Sequence, residues 1–263
     1  MIFKQFYLEC LSHASYLVGD EKTGRAVVID PRRDVQQYVD SAREHGLTIE
    51  LVLETHFHAD FLSGHLEMAK ATGAKIGYGS IASPKFDAKL FVDGERYSLG
   101  DVTLEIRHTP GHTPESISIV VYEHSSDAIP YGVLTGDTLF IGDVGRPDLL
   151  VSVGKTSNEL GHLLFASLRD KLLTLPDSTR VYPAHGAGSA CGKNLSTETM
   201  STIGEQRRTN YALQFTNIDD FIDVVTEGQP PAPGYFIYDA QLNSQDRAVL
   251  DEHALPARLS VDE

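Results

Sequence analysis

Three features are scarce in this 263-residue chain: cysteine, positive charge and long apolar runs. The two cysteines, Cys10 and Cys191, lie far apart and form no CxxC pair. This excludes a disulfide framework and a cysteine-built zinc site, and it is typical of a reducing compartment. No apolar run approaches the roughly 20 residues of a membrane span. We therefore expect a soluble, cytoplasmic protein without membrane contact.

Basic residues are outnumbered, with 22 Lys and Arg against 37 Asp and Glu, a formal net charge of −15. Nucleic acids are bound through clustered Lys and Arg, so this balance argues against a nucleic-acid surface. An anionic substrate would need cations placed locally around its site.

Hydrophobic periodicity predicts an α/β chain in which short strands do not strictly alternate with helices, a pattern that favours a mixed sheet. Asp34 is the predicted N-cap of the first helix, and Gly46 its stop. The predicted strands are 25–31, 48–55, 75–78, 90–92, 97–99, 102–108, 116–122, 131–135 and the segment leading into "PAHG". The predicted helices are 35–46, 65–73, 158–175, 197–213 and 219–227.

Imidazoles and carboxylates recur in four loops, each of which follows a predicted strand. Residues i and i+2 of an extended chain project to one side, so the HxHxD spacing brings side chains toward one point. Any one of these residues alone is more often a core histidine or a turn aspartate. Together they predict a site for iron, zinc or manganese. The six candidates are His56, His58 and Asp60 in "THFHAD", His112 in "PGHT", Asp137 in "TGDT" and His185 in "PAHG".

The motifs "THFHAD", "TPGHT", "TGDTLF" and "YPAHG" make residues 1–215 resemble the metallo-β-lactamase superfamily. The resemblance implies an αβ/βα sandwich of two mixed β-sheets flanked by helices, with a metal site at one edge. Residues 216–263 are then expected to form a C-terminal extension packed on this domain. In the superfamily's hydrolases a second metal is bound by the motif's aspartate, the histidine after it and a later histidine.

The histidine expected directly after the motif's aspartate is replaced here by Phe61, whose hydrocarbon ring cannot bind a cation. Asp60 and His185 remain as weak ligands for a second metal. A one-metal enzyme is therefore the better interpretation, without the two-metal activation of a bridging hydroxide.

Two histidines, one carboxylate and open positions make the facial arrangement of non-haem iron(II) oxygenases, and His56, His112 and Asp137 can supply it. The chain resembles the persulfide dioxygenase branch, especially members fused to rhodanese domains, through "HADFLSGH", "GDVGRPDL", "PAHGAGSACGKNLS" and "PAPGYFIYDAQLN". The resemblance implies one Fe(II) per chain on these three catalytic residues, with zinc as an alternative in purified protein. The remaining candidates, which are outer-shell residues or alternative ligands, are His58, Asp60 and His185.

The implied reaction is oxidation of glutathione persulfide, or a related thiol persulfide, by O2 to sulfite and thiol. Arg146 would clamp a substrate carboxylate; its alternative role is a structural salt bridge with Asp143 or Asp148. Cys191 is predicted to lie in a flexible loop where Lys193 favours its thiolate, and it either carries sulfur or is a bystander. The predicted substrate-binding residues are Arg146, Asp148, Tyr182, Cys191 and Lys193.

Two other functions stay open. One is a glyoxalase II-like hydroxyacylglutathione thioester hydrolase, to which "TGDTLF" also points. The other is a non-catalytic sulfur-binding module with a degenerate site. The oligomeric state is open, with a homodimer as one candidate, and the resemblance adds a rhodanese domain, fused or separate, as a candidate partner.

Overall fold

Two six-stranded sheets make up the centre of the computed structural model, which describes residues 1–149, 156–229 and 231–249. Each sheet uses one continuous half of the chain, with the strands in consecutive order. The first contains β1 (Ile2–Leu8), β2 (His13–Asp20), β3 (Arg25–Ile29), β4 (Thr48–Leu53), β5 (Lys75–Gly79) and β6 (Lys89–Phe91). The second contains β7 (Arg96–Ser98), β8 (Thr103–His108), β9 (Ile117–Tyr122), β10 (Gly132–Gly136), β11 (Arg180–Pro183) and β12 (Ser201–Thr202).

Both sheets are mixed. In the first, β1, β2 and β3 pair antiparallel, and β3 to β6 pair parallel. In the second, β10 and β11 form the one parallel pair among the described strands. The predicted sandwich of two mixed sheets is confirmed.

Alternating side chains of the buried strands fill separate cores. In β9, Ile117, Ile119 and Val121 lie between the sheets, whereas Val120 and Tyr122 face helices on the outside. Because both faces are covered, the strand is apolar almost throughout. Full burial of each such side chain stabilises the fold by roughly 1.5–3 kcal/mol.

Helices cover the outer face of each sheet, as predicted. The structure has α1 (Gln36–Glu44), α2 (His65–Thr72), α3 (Ser157–Ala166), α4 (Ile203–Thr209), α5 (Ile218–Thr226) and α6 (Phe236–Asn243). Side chains of α1 and α2 pack on the first sheet, and those of α3 and α5 on the second. No helix in the described ranges combines the length and apolar character needed to cross a membrane.

Several local predictions need correction. Asp34 does not cap α1: Val35 holds the N-cap position without a side-chain bond, and the Asp34 carbonyl accepts from Gln37. The predicted helix 158–175 is α3 followed by a π-helical turn at Ser167–Leu172. The predicted helix 197–213 is divided, because Thr202 and Asn210 each cap a new turn, into β12, α4 and a 3-10 turn at Tyr211–Gln214.

The C-terminal segment packs on the rest of the chain through aromatic side chains. Phe221 of α5 packs edge-on against Phe165 of α3, with ring centroids 5.3 Å apart. Phe236 of α6, a helix that the periodicity did not predict, joins a small apolar cluster with Phe140 and Cys191. The domain boundary at residue 215 stays a prediction, and residues 250–263, with the predicted continuation into a rhodanese domain, lie outside the described residues.

Candidate metal centre

His56 follows β4 and is oriented through its neighbour Thr55. The Thr55 backbone N–H and hydroxyl donate to the two oxygens of Asp30, at 2.7 and 2.9 Å. Because the hydroxyl proton is used there, Thr55 Oγ1 accepts from Nδ1 of His56, 2.9 Å away. This fixes the tautomer and leaves the Nε2 lone pair of His56 available to a metal.

His112 is oriented in the same manner from the loop between β8 and β9. Its Nδ1 donates to the main-chain carbonyl of Arg146, 3.2 Å away. Its Nε2 therefore faces Asp137, whose Oδ2 lies 3.5 Å away. Gly145 permits this approach, because a Cβ there would fall 1.8 Å from the Asp137 carbonyl oxygen.

Asp137, at the end of β10, completes what we call the primary cluster: His56, His112 and Asp137. The His56 Nε2 lies 3.9 Å from Asp137 Oδ2, and one ligand atom from each residue lies within 4.8 Å of the others. All three side chains are buried. Burial alone would raise the pKa of Asp137, but the surrounding imidazoles, His185 first, hold it well below the usual value. Two nitrogens and one ionised oxygen with oriented lone pairs fit a divalent transition metal.

A second cluster lies beside the first and consists of His58, Asp60 and His185, whose ligand atoms also lie within 4.8 Å of one another. His185 donates from Nδ1 to Asp137 at 2.7 Å, and its Nε2 forms an ion pair with Asp60 at 2.9 Å. Burial would lower the pKa of His185, but the two carboxylates raise it well above the ordinary value. The second cluster is thus tied to the primary cluster through the shared Asp137.

His58 is directed toward carboxylates beneath the site. Its Nε2 lies 3.3 Å from Asp30 and 3.7 Å from Glu54. Burial, followed by the nearby Asp30, raises the pKa of Glu54 well above its usual value. Both ring nitrogens of His58 and one oxygen of Glu54 are buried without a hydrogen-bond partner among the residues described. Whether His58 binds the metal stays a prediction.

Phe61 packs against two imidazoles beside the second cluster. Its ring lies 4.6 Å from the ring of His58 and 4.3 Å from that of His13, measured between centroids. The side chain is 8% exposed. The Phe61 ring therefore covers one side of the His58 ring with an apolar surface.

Arg146 forms a salt bridge with Asp148, which was the alternative to its predicted role in substrate binding. Its Nε and Nη2 donate to the two oxygens of Asp148, both at 2.7 Å, and its Nη1 donates to the Ala190 carbonyl at 3.3 Å. The alternative partner, Asp143, instead accepts from Tyr211 and backbone N–H groups. Arg146 thus holds the loop that carries Cys191.

The predicted environment of Cys191 is wrong. The thiol is buried, and burial raises its pKa well above the usual value, so a thiolate is disfavoured. Lys193 does not activate it, because its ammonium donates to the carbonyls of Val224 and Glu227, at 2.5 and 2.8 Å. The sulfur nevertheless lies within 4.8 Å of ligand atoms of Asp137 and His185.

Tyr182 packs between the two sheets and does not line a substrate pocket. Its ring contacts that of Phe3 at 4.6 Å and belongs to the core between the sheets. Tyr235, by contrast, is about half exposed at the start of α6, and burial together with Asp60 raises the pKa of its hydroxyl.

Several functional positions escaped the sequence-based prediction. Asp30 ends a strand before a proline, a signal of the same kind as that of the predicted ligands. Thr55 and Glu115 gave no independent signal; Glu115 accepts from the backbone N–H of Phe57 at 3.0 Å, between the two histidines of the first motif. Asn243 lies in the quoted "YDAQLN" and bonds to the same loop.

The sandwich with a buried His/Asp cluster at the edge of its two sheets defines a class of metal-dependent proteins. Residues 8–185 match the metallo-beta-lactamase superfamily, and the chain belongs to that family. It is 30% identical over 221 residues to the mitochondrial persulfide dioxygenase ETHE1 of Bos taurus, covering 83% of this chain and 78% of that protein. It is also 33% identical over 185 residues to the cytoplasmic hydroxyacylglutathione hydrolase of Arabidopsis thaliana, covering 69% and 67%.

Two solved structures support the same family. A metallo-beta-lactamase from Staphylococcus aureus subsp. aureus COL superposes with a TM-score of 0.88 at 37% identity, over 97% of this chain and 75% of that chain. ETHE1 from Myxococcus xanthus superposes with a TM-score of 0.78 at 29% identity, over 93% and 98%. Together with the buried clusters, these relatives support an enzyme with a metal centre.

Proposed function

We propose that the chain is a persulfide dioxygenase that uses one ferrous iron to oxidise glutathione persulfide, or a related thiol persulfide. One observation carries this: in the primary cluster, one ligand atom from each of two histidines and an aspartate lies within 4.8 Å of the others. Two imidazoles, one carboxylate and open positions are the ligand set of non-haem iron(II) oxygenases. The similarity to ETHE1 proteins supports the same reaction.

The residues of the chain would orient and shield the reaction. Ferrous iron, when bound, would supply open positions at which the persulfide sulfur and O2 can meet, and one water completes the conversion to sulfite, thiol and two protons. Thr55 and the Arg146 carbonyl keep the Nε2 atoms of His56 and His112 directed at one point. Burial of the whole cluster excludes bulk water. Zinc, which fits the same nitrogens and oxygen, is the expected contaminant in purified protein.

Glutathione is anionic, so its carboxylates require a local cation on a chain of net charge −15. We assign this contact to Arg146, whose fork is bound to Asp148 and would exchange that carboxylate for one of the substrate. Arg146→Lys keeps the charge but loses two-point geometry. It should raise KM by about tenfold, the effect of roughly 1.4 kcal/mol, with a smaller change in kcat. An unchanged KM in steady-state kinetics would leave Arg146 with a structural role only.

Cys191 is the proposed sulfur-contacting residue, as a buried thiol beside Asp137. The Cys191 thiol would take the outer sulfur of glutathione persulfide and release glutathione, and mass spectrometry after exposure to substrate should then detect the Cys191 persulfide. Undiminished turnover of Cys191→Ser would remove any essential role.

The decisive test is O2 uptake by anaerobically iron-loaded protein supplied with glutathione persulfide, with sulfite measured in parallel. We expect O2 consumption matched by sulfite, abolished in His112→Ala. An iron-loaded wild-type protein that consumes no O2 contradicts the dioxygenase. Arg96→Ala, which removes an exposed ion pair with Glu105 on the outer strands, is a matched control that should keep full activity.

A glyoxalase II-like thioester hydrolase is the second candidate. The second cluster supports it, because His58, Asp60 and His185 each offer one ligand atom within 4.8 Å of the others and could hold a further metal. The Arabidopsis relative supports it as well. Metal analysis separates the two functions: two zinc ions per chain together with cleavage of a glutathione thioester would favour the hydrolase over the dioxygenase.

The cellular location and the binding partners are further parts of the proposal. The cytoplasm suits a chain with two unpaired cysteines, although the ETHE1 relative is mitochondrial. A homodimer and a rhodanese domain that supplies sulfur remain predictions, and size-exclusion chromatography with light scattering tests the first.

A further inference from the structure

Asn243, the last residue of α6, contacts the loop between β4 and α2. This loop, which we call the ligand loop, carries His56, His58 and Asp60. Asn243 is completely buried. Its Nδ2 donates to the carbonyls of His58 and Phe61, both at 2.8 Å, and its Oδ1 accepts from the N–H of Ser63 at 2.9 Å. Both donors and the acceptor of the amide are therefore used on one short segment.

This segment has few regular bonds of its own. Between β4 and α2, residues 59–61 form bends, and Ser63 makes an isolated β-bridge with Arg32. Their backbone polar groups need partners from elsewhere, because a buried polar group without a hydrogen bond is destabilising. The side-chain amide of Asn243 supplies hydrogen bonds that a neighbouring strand would otherwise provide. It joins the carbonyls of His58 and Phe61, on either side of Asp60. Arg247 adds a second link, since it forms an ion pair with Glu67 at 2.8 Å and contacts the Ser63 carbonyl.

The held segment leads to the metal centre. Asp60 is the ion-pair partner of His185, and His185 donates to Asp137, the carboxylate of the primary cluster. A shift of the 58–61 turn would displace Asp60 and thereby change the orientation of the Asp137 oxygens. Asn243 is not needed as a helix cap, because Ser244 occupies the C-cap position of α6.

We propose that Asn243 is a positioning residue of the metal centre, so that α6, outside the 8–185 family match, completes the site. This role rests on the proposed metal-dependent function, and it acts through Asp60 and His185, without contact to metal or substrate. Outer-shell partners of metal ligands typically change metal affinity or activity by about 10- to 100-fold.

The test compares Asn243→Ala with Asn217→Ala. Asn217 caps α5 through the N–H groups of Asp219 and Asp220, so its loss costs stability without touching the ligand loop. Co²⁺ affinity is measured by chelator competition, the Co²⁺ absorption spectrum reports ligand geometry, and kcat and KM are measured on iron-loaded protein. We expect Asn243→Ala to weaken Co²⁺ binding about 10- to 100-fold, alter the spectrum and lower kcat more than it changes KM.

Asn217→Ala should match wild type in affinity and spectrum. Asn243→Asp, of nearly equal size, keeps the acceptor for Ser63 but loses both donors, so it should bind Co²⁺ as weakly as the alanine variant. If Asn243→Ala does not fold, Asn243→Asp decides. Wild-type Co²⁺ affinity and spectrum in the folded Asn243 variant, or an equal loss in Asn217→Ala, would overturn the assignment. Absence of O2 uptake in wild type would defeat only the dioxygenase, because the Co²⁺ measurements do not depend on turnover.

Discussion

The primary and second clusters contain the same residue types, two histidines and one aspartate each, yet their surroundings differ. In the primary cluster each imidazole has one nitrogen bound to a neutral oxygen, which directs the other at a common point. In the second cluster His185 lies between two carboxylates, and His58 faces two more. Metal-site character is therefore decided by the groups behind the ligands as much as by the ligands themselves.

The largest effect is expected from removing a histidine of the primary cluster, compared with removing one of the second cluster. His112→Ala deletes a ligand of the primary cluster and should reduce Fe²⁺ or Co²⁺ affinity by more than the roughly 100-fold upper range for outer-shell groups. His58→Ala should stay within about that range. Parallel metal titrations of the two variants make the comparison. The opposite ranking would mean that the two clusters have been assigned the wrong way round.

Gly145→Ala should have the next largest effect. The new Cβ would lie 1.8 Å from the Asp137 carbonyl and 3.1 Å from His112 Cβ, so the backbone must move. Overpacking of this kind costs about 1–3 kcal/mol, and it strikes two ligands at once. Chemical denaturation and metal titration measure the two losses. Gly234→Ala, at a position with open space around its Cβ, is the matched control and should be close to neutral.

Thr55→Val keeps the shape of the side chain but removes the hydroxyl that joins Asp30 to His56. Without it Nδ1 has lost its acceptor, so the tautomer is no longer fixed, and metal affinity should fall about 10- to 100-fold. Thr55→Ser restores the hydroxyl and should recover most of the affinity. Equal affinities of the valine and serine variants would show that the hydroxyl has no such role.

Phe61→His tests the difference between the clusters most directly and with the smallest numerical change. A histidine there adds an imidazole next to Asp60, so metal content should rise from one to two ions per chain. Phe61→Leu, which adds no ligand, should remain at one. Elemental analysis after metal loading and gel filtration gives both values. A constant value of one in Phe61→His would show that the ring does not limit the second site.

The primary cluster was predictable because its members follow predicted strands, with His112 and Asp137 beside a glycine, where short-range pattern and strand geometry suffice. The groups that orient them were less predictable, since they depend on distant pairings: Thr55 bonds to Asp30 across 25 residues, and Asn243 to His58 across 185. Whether a bond of that length forms is a property of the folded sheets.

Burial was the other quantity that local pattern did not provide. Cys191 and Lys193 stand in a Gly- and Ala-rich stretch typical of an exposed loop, yet Arg146 and Asp143 bond to that loop and turn the thiol inward. The predicted boundaries of the helix 197–213 were wrong for a simpler reason. Thr202 and Asn210 are compatible with a helix by composition, but each uses its side chain as a cap and begins a new element.

Because each sheet is built from one continuous half of the chain, folding can be divided into two local events and one assembly step. Strand pairings within β1 to β6 and within β7 to β12 join strands that are consecutive in the chain, so neither sheet needs a strand from the other half. His56 belongs to the first half, whereas His112 and Asp137 belong to the second. A metal ion present at 100 times its dissociation constant would therefore stabilise the assembled form alone by roughly 2.7 kcal/mol. The bound ion would then link the two sheets.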